Sequence, residues 1–172
     1  MINKLRANYI LSSVLIRIFF VLAYVLYSWQ TSLSVTTLML GQLTGQFNFW
    51  VALMSSALLG AIIMFVLPLI SNIFLNYSHF YSVPRAEYGL LAMLFFTLYF
   101  AICGVLKLIN LITPILLTWG EVLFPVLVSL GCIIWFYSVT AKLYFNNQTK
   151  PYYFRNLATT YLVLIIVAEV LL

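Results

Sequence analysis

The stretch Trp50–Ile73, WVALMSSALLGAIIMFVLPLISNI, carries no charged residue. An α-helix rises about 1.5 Å per residue, so a run of this length crosses the roughly 30 Å hydrocarbon core of a bilayer. Within it Ala52, Ser56 and Gly60 recur every four residues, with Ala57 and Ala61 beside them. Small side chains at that spacing make a smooth ridge where another helix can approach closely. Two partners suit the ridge: a neighbouring helix of the same chain, or another subunit. Pro68 is expected to kink this span, which a membrane helix tolerates where neighbours satisfy the freed backbone.

Outward from this run the same character continues. Of the 172 residues, 65% are hydrophobic and 6% charged, against about 25% charged in soluble domains. So few charges cannot build a water-facing surface, so most of the surface must meet lipid. The pattern predicts an all-α, polytopic integral membrane bundle forming a single transmembrane domain over 1–172. Its five spans lie at about 9–29, 50–73, 88–109, 114–142 and 153–172. Residues 30–48 carry no charge and read as a connection, broken by Gly41 and Gly45 and ending in an aromatic belt of Phe47, Phe49 and Trp50. Polar connections follow near 74–87 and 144–155, and Pro114 is expected to start the fourth span. The first span has a second frame, a short interfacial helix over 1–16 followed by a span from Ile18 to Leu38, which moves Arg17 to the headgroups. The apolar N-terminal region runs on into Tyr24, Tyr27 and Trp29 with no small-x-small cleavage site, so it reads as a retained span.

Charge sets the orientation. With the N-terminus on the cytoplasmic side, five spans place Lys4, Arg6, Arg17, Arg85, Lys142, Lys150 and Arg155 at or near the inner face and leave only Lys107 towards the outer one. The C-terminus then lies on the opposite side. The formal charge of +5 is thus explained by topology, and no nucleic-acid partner is expected. The expected partners are the lipid bilayer and other membrane protein subunits.

Three ionisable positions make a candidate intramembrane polar site: Arg17, Lys107 and Glu121. An acid inside the membrane is costly and marks function by default, so Glu121, between Gly120 and Pro125, is a candidate proton site. Its bland alternative is an interfacial pair with Lys107. Arg17 is either an inner anchor that snorkels to the headgroups or an ion-pair or lipid-phosphate site. Glu169 reads as a terminal interfacial residue, and His79 as a loop histidine rather than a general base.

The absent chemistry is informative. There is no Asp, and the three acids are Glu87, Glu121 and Glu169. That removes aspartyl proteolysis and Asp-rich metal-dependent headgroup transfer. No phosphate-cradling GK[ST] loop, HExxH or GxSxG occurs. One histidine and scattered glutamates cannot supply an ordinary metal site, and no cofactor is expected. Cys103 and Cys132 sit in apolar runs and read as small core residues, with a disulfide between neighbouring helices as the alternative.

Taken as a layout, the chain resembles the bacterial Yip1-type membrane domain, with five spans, a polar turn between the second and third, and a terminal helix after a basic loop. Ile134-Trp135-Phe136-Tyr137 leading to Lys142, then Arg155 to Leu172, carry the local similarity. The Asp-Leu-Tyr-Gly-Pro signature of eukaryotic relatives is absent. The resemblance implies a membrane-organising or trafficking-associated protein with no catalytic residues. The expected function is a non-catalytic multi-pass membrane subunit or scaffold acting through helix contacts with other membrane proteins. Its alternatives are a small transporter or channel element using Glu121, Lys107 or Arg17, and a membrane-arm subunit of an energy-converting complex.

Overall fold

The computed structural model describes residues 9–40, 45–112, 118–146 and 149–171, with side chains at 11–38, 47–110, 123–146 and 149–166. The described residues form five helices: α1 (Tyr9–Leu40), α2 (Gly45–Tyr77), α3 (Arg85–Ile112), α4 (Thr118–Tyr144) and α5 (Lys150–Leu171). Stretches of the first four, Leu11–Leu38, Phe47–Tyr77, Arg85–Asn110 and Leu123–Tyr144, are each long and apolar enough to cross a membrane. The chain is an all-α integral membrane bundle.

Two helices run further than the sequence pattern indicates. The first does not stop at Trp29; it continues through the Ser- and Thr-rich segment to Leu40. The hydroxyls there are returned to their own helix, Ser34 Oγ donating to the Gln30 carbonyl, Thr36 Oγ1 to Ser32 and Thr37 Oγ1 to Leu33. A hydroxyl satisfied by the carbonyl one turn back does not break a helix. The second begins at Gly45, ahead of the Phe49–Trp50 pair, so much of the expected 30–48 connection is helical. Pro114 lies outside the described residues, and α4 is described from Thr118.

At 32 residues, α1 is about 48 Å long, well beyond a hydrocarbon core of about 30 Å. Its ends therefore reach the headgroup regions or the helix tilts. Trp29 meets Phe49 edge to face, and Phe49 meets Trp50, which places an aromatic cluster across the α1–α2 hairpin.

α3 is the central helix. Half of its spanning window is buried, against 28% for each of the other three. It packs on α1, α2 and α4, while α1 also packs on α2 and α4 on α5. The reason is the density of large rings: Tyr88, Phe95, Phe96, Tyr99 and Phe100 are all buried, with Ala92 and Cys103 between them. Phe100 meets Phe20 and Tyr24 of α1 edge to face, and Phe95 meets Phe136 of α4 and Tyr161 of α5. Each such pair is worth about 0.5–1.5 kcal/mol beyond area burial. Lipid tails are as apolar as the core, so this tight packing, rather than exclusion from water, holds the helices together.

The α2–α3 turn is built, not loose. Phe80 N–H donates to the Leu75 carbonyl and His79 N–H to Asn76, the paired bonds that close a helix whose next residue turns left-handed. His79 is that residue, with φ 59°. Its ring Nδ1 lies 3.1 Å from Tyr81 Oη.

Candidate functional site

The described residues hold a cleft of about 350 Å³ where α1, α2 and α3 meet, lined by Arg17, Pro68, Asn72, Arg85, Gly89 and Met93 among others. Each wall has a local cause. Gly89 faces Pro68, and a methyl built there would make an ordinary contact with Pro68 Cβ at 3.5 Å. Asn72 follows Pro68 by one turn, and its Oδ1 is buried without a hydrogen-bond partner among the described residues. Arg85 opens α3 and donates from Nη2 to Asn76 Oδ1 at 2.9 Å, which ties the end of α2 to the start of α3. Arg17 is exposed on α1, about 12 Å along the axis from Tyr9.

A second polar feature lies inside the bundle. Tyr88, Tyr153 and Thr140 are fully buried, with the Tyr153 hydroxyl 2.7 Å from Thr140 Oγ1 and 3.3 Å from that of Tyr88. Each hydroxyl has one proton, and Thr140 donates its own to the Phe136 carbonyl. Tyr153 therefore donates to Thr140, and Tyr88 donates to Tyr153. The result joins α3, α4 and α5 through hydroxyls alone. Alongside it, Tyr144 donates to Glu87 Oε2 at 3.1 Å, and Asn156 Nδ2 donates to Ser78 Oγ. Such a network locks helices in register.

The three ionisable candidates do not share one site. Lys107 Nζ sits 3.9 Å above the Tyr27 ring centroid, a cation–π contact. Tyr27 is ten residues along α1 from Arg17, about 15 Å away, so Arg17 and Lys107 occupy different levels of the bundle. Glu121 falls in α4 and Glu169 in α5, but their side chains lie outside the described residues, as do Lys4 and Arg6. The small-residue ridge faces α1. Ala52, Ser56 and Gly60 are all buried; Ser56 Oγ donates to Ser32 Oγ at 2.9 Å, and a methyl on Gly60 would meet Tyr24 Cδ1 at 3.0 Å. Cys103 and Cys132 are free and buried. No group of His, Cys, Asp or Glu capable of holding a metal exists among the described residues.

Sequence reasoning missed three of these features. Asn72 reads as one more residue of the second span and Arg85 as an inner-side topology charge, because their convergence with Arg17 depends on three helices meeting. The hydroxyl network leaves no spacing signature, since Tyr88, Thr140 and Tyr153 are aromatic-belt or filler residues by type. Comparison with protein-family models, curated proteins and solved structures found no match.

Proposed function

We propose that this chain is a non-catalytic multi-pass membrane subunit or scaffold that works through helix contacts with other membrane proteins. The observation that carries this reading is Gly131. It lies inside α4, it is exposed, and nothing stands within 4 Å of a Cβ built on it. Leu127, Leu130 and Ile134 around it are exposed as well. Glycine inside a helix is about 1 kcal/mol less favourable than alanine, and membrane helices place it where another backbone comes close. Here the described residues supply no such backbone, which leaves a notch on an apolar face. The interior adds support. Aromatic rings of α1, α3, α4 and α5 fill it, so the binding work falls to the outer faces. The α2 ridge is already occupied by α1 and is not the partner surface in this reading.

The orientation belongs to the same proposal: N-terminus cytoplasmic, five spans and the C-terminus opposite, with Arg17, Arg85, Lys142, Lys150 and Arg155 at the inner end. The membrane-organising role implied by the Yip1-type resemblance is one form of this function, and a membrane-arm subunit of an energy-converting complex is another. Transport through Arg17, Lys107 and Glu121 acting together is disfavoured by the separation of Arg17 from Lys107.

The test is purification of the tagged full chain from its own membranes in mild detergent, as wild type and as Gly131→Leu. The wild type should retain a membrane protein in fixed proportion. Gly131→Leu should lose most of it while its unfolding temperature does not fall, because the new side chain meets nothing among the described residues and leucine favours the helix. Equal recovery by both, or a wild type purified alone, contradicts the proposal.

A further inference from the structure

We propose that the cleft between α1, α2 and α3 binds the headgroup of a membrane phospholipid, with Arg17 and Arg85 on the phosphate and Asn72 Oδ1 accepting a hydrogen bond from a headgroup hydroxyl or ammonium. This goes beyond the scaffold reading and does not depend on it.

Arg17 is the starting point. It stands inside the spanning stretch Leu11–Leu38 and has no hydrogen bond, ion pair or ring partner among the described residues. A guanidinium carries five donors and cannot shed its charge. Within the membrane such a group persists when it reaches water or an anion. Arg17 lines the cleft together with Arg85, so two guanidiniums face one concavity. Arg85 gives Nη2 to Asn76 and keeps further donors. Planar guanidinium forks match phosphate oxygens in pairs.

Three observations select a lipid phosphate over a free one. Arg17 is flanked on α1 by Val14, Leu15, Ile18 and Phe19, all exposed, which gives acyl chains a surface beside the charge. The cleft sits at the end of the bundle where α2 finishes and α3 starts, the level at which headgroup phosphates lie. Its deeper wall is apolar, formed by Pro68, Leu90 and Met93. Asn72 then sets a preference among headgroups. Its orphaned oxygen needs a donor, and leaving a buried acceptor unmet costs about 1–3 kcal/mol. A glycerol headgroup offers O–H and ethanolamine offers N–H, whereas choline offers neither.

The experiment uses delipidated full-length protein in detergent, with its unfolding temperature followed against added phosphatidylglycerol, phosphatidylethanolamine, phosphatidylcholine or inorganic phosphate. Phosphatidylglycerol and phosphatidylethanolamine should raise the midpoint in a saturable way, with phosphatidylcholine weaker. Arg17→Gln should weaken the response at least about tenfold, the loss of one charge-assisted contact. Arg17→Lys should restore part of it, and Asn72→Leu should remove the preference over choline. Without lipid, Arg17→Gln should unfold at the wild-type temperature, because Arg17 holds no partner among the described residues. Inorganic phosphate matching the lipids would overturn the headgroup assignment. So would a lipid response that Arg17→Gln leaves unchanged, or an Asn72→Leu variant that still discriminates against choline.

Discussion

Gly104 of α3 lies directly against Leu26 of α1: a methyl group built on the glycine would stand 2.9 Å from Leu26 Cγ and 3.0 Å from its carbonyl carbon, with the Tyr27 nitrogen at 3.1 Å. The close approach involves backbone, which cannot step aside as a side chain does. It fixes the distance between the central helix and α1, and it sets the level at which Lys107, three residues on, reaches the Tyr27 ring.

Gly104→Ala is therefore expected to lower stability by about 1–3 kcal/mol through overpacking, even though alanine favours the helix by about 1 kcal/mol. Gly60→Ala should be milder, since the single close atom is Tyr24 Cδ1 at 3.0 Å and a ring can shift by a few tenths of an ångström. Gly60→Leu should be severe, because its buried position leaves no room for the longer side chain. Thermal unfolding in mild detergent ranks the three. A Gly104→Ala protein as stable as wild type would mean that α1 and α3 sit further apart.

Tyr153→Phe removes the hydroxyl that joins Tyr88 to Thr140. Thr140 keeps its own donation to Phe136, so the loss falls on Tyr88, whose buried O–H must find another acceptor. The expected destabilisation is about 1–3 kcal/mol, with the helical circular dichroism of the folded protein unchanged. Thr140→Val should cost less than Tyr153→Phe, because it unmakes one link between helices instead of two. An unfolding temperature for Tyr153→Phe within error of wild type would show that the network does not hold the helices.

How much of this was legible beforehand depended on what kind of interaction was involved. The membrane bundle was written in charge scarcity and run length, which are properties of single segments. The Ala52/Ser56/Gly60 ridge was legible as a packing face for the same reason, although which helix it meets was not: only the fold brings Ser32 and Tyr24 of α1 onto it. Gly104 gave no signal, because Phe100 and Leu108 one turn away on either side are large and no small-residue repeat marks the contact. His79 drew attention as a titratable side chain, yet its described role is backbone, the left-handed residue that closes α2. Of the two frames for the first span, the one ending at Trp29 stops short because a run of Ser and Thr looks like a loop, whereas the one ending at Leu38 comes close to the end of α1 at Leu40; in the helix Ser34, Thr36 and Thr37 each find a carbonyl one turn back. Arg17 was visible as a charge in a span; its cleft needed Asn72 and Arg85 from two other helices.

Orientation yields a prediction of its own. Reporter fusions placed after Leu172 and within the 146–150 connection should read opposite sides of the membrane, with the connection on the cytoplasmic side, because in the proposed orientation α5 crosses between them and the basic residues cluster near the connection. Both reporters on one side would mean that α5 lies along the membrane surface and that the chain crosses four times.

The most direct test of the scaffold proposal is site-specific photocrosslinking in intact membranes from position 131, with position 56 as the internal reference. A crosslinker at 56 faces α1 and should give intrachain products alone. One at 131 faces outward with no neighbour among the described residues and is predicted to give a discrete adduct with another membrane protein, lost when that partner is absent. Adducts at 131 with lipid alone would contradict the claim that this chain works through helix contacts on its α4 face.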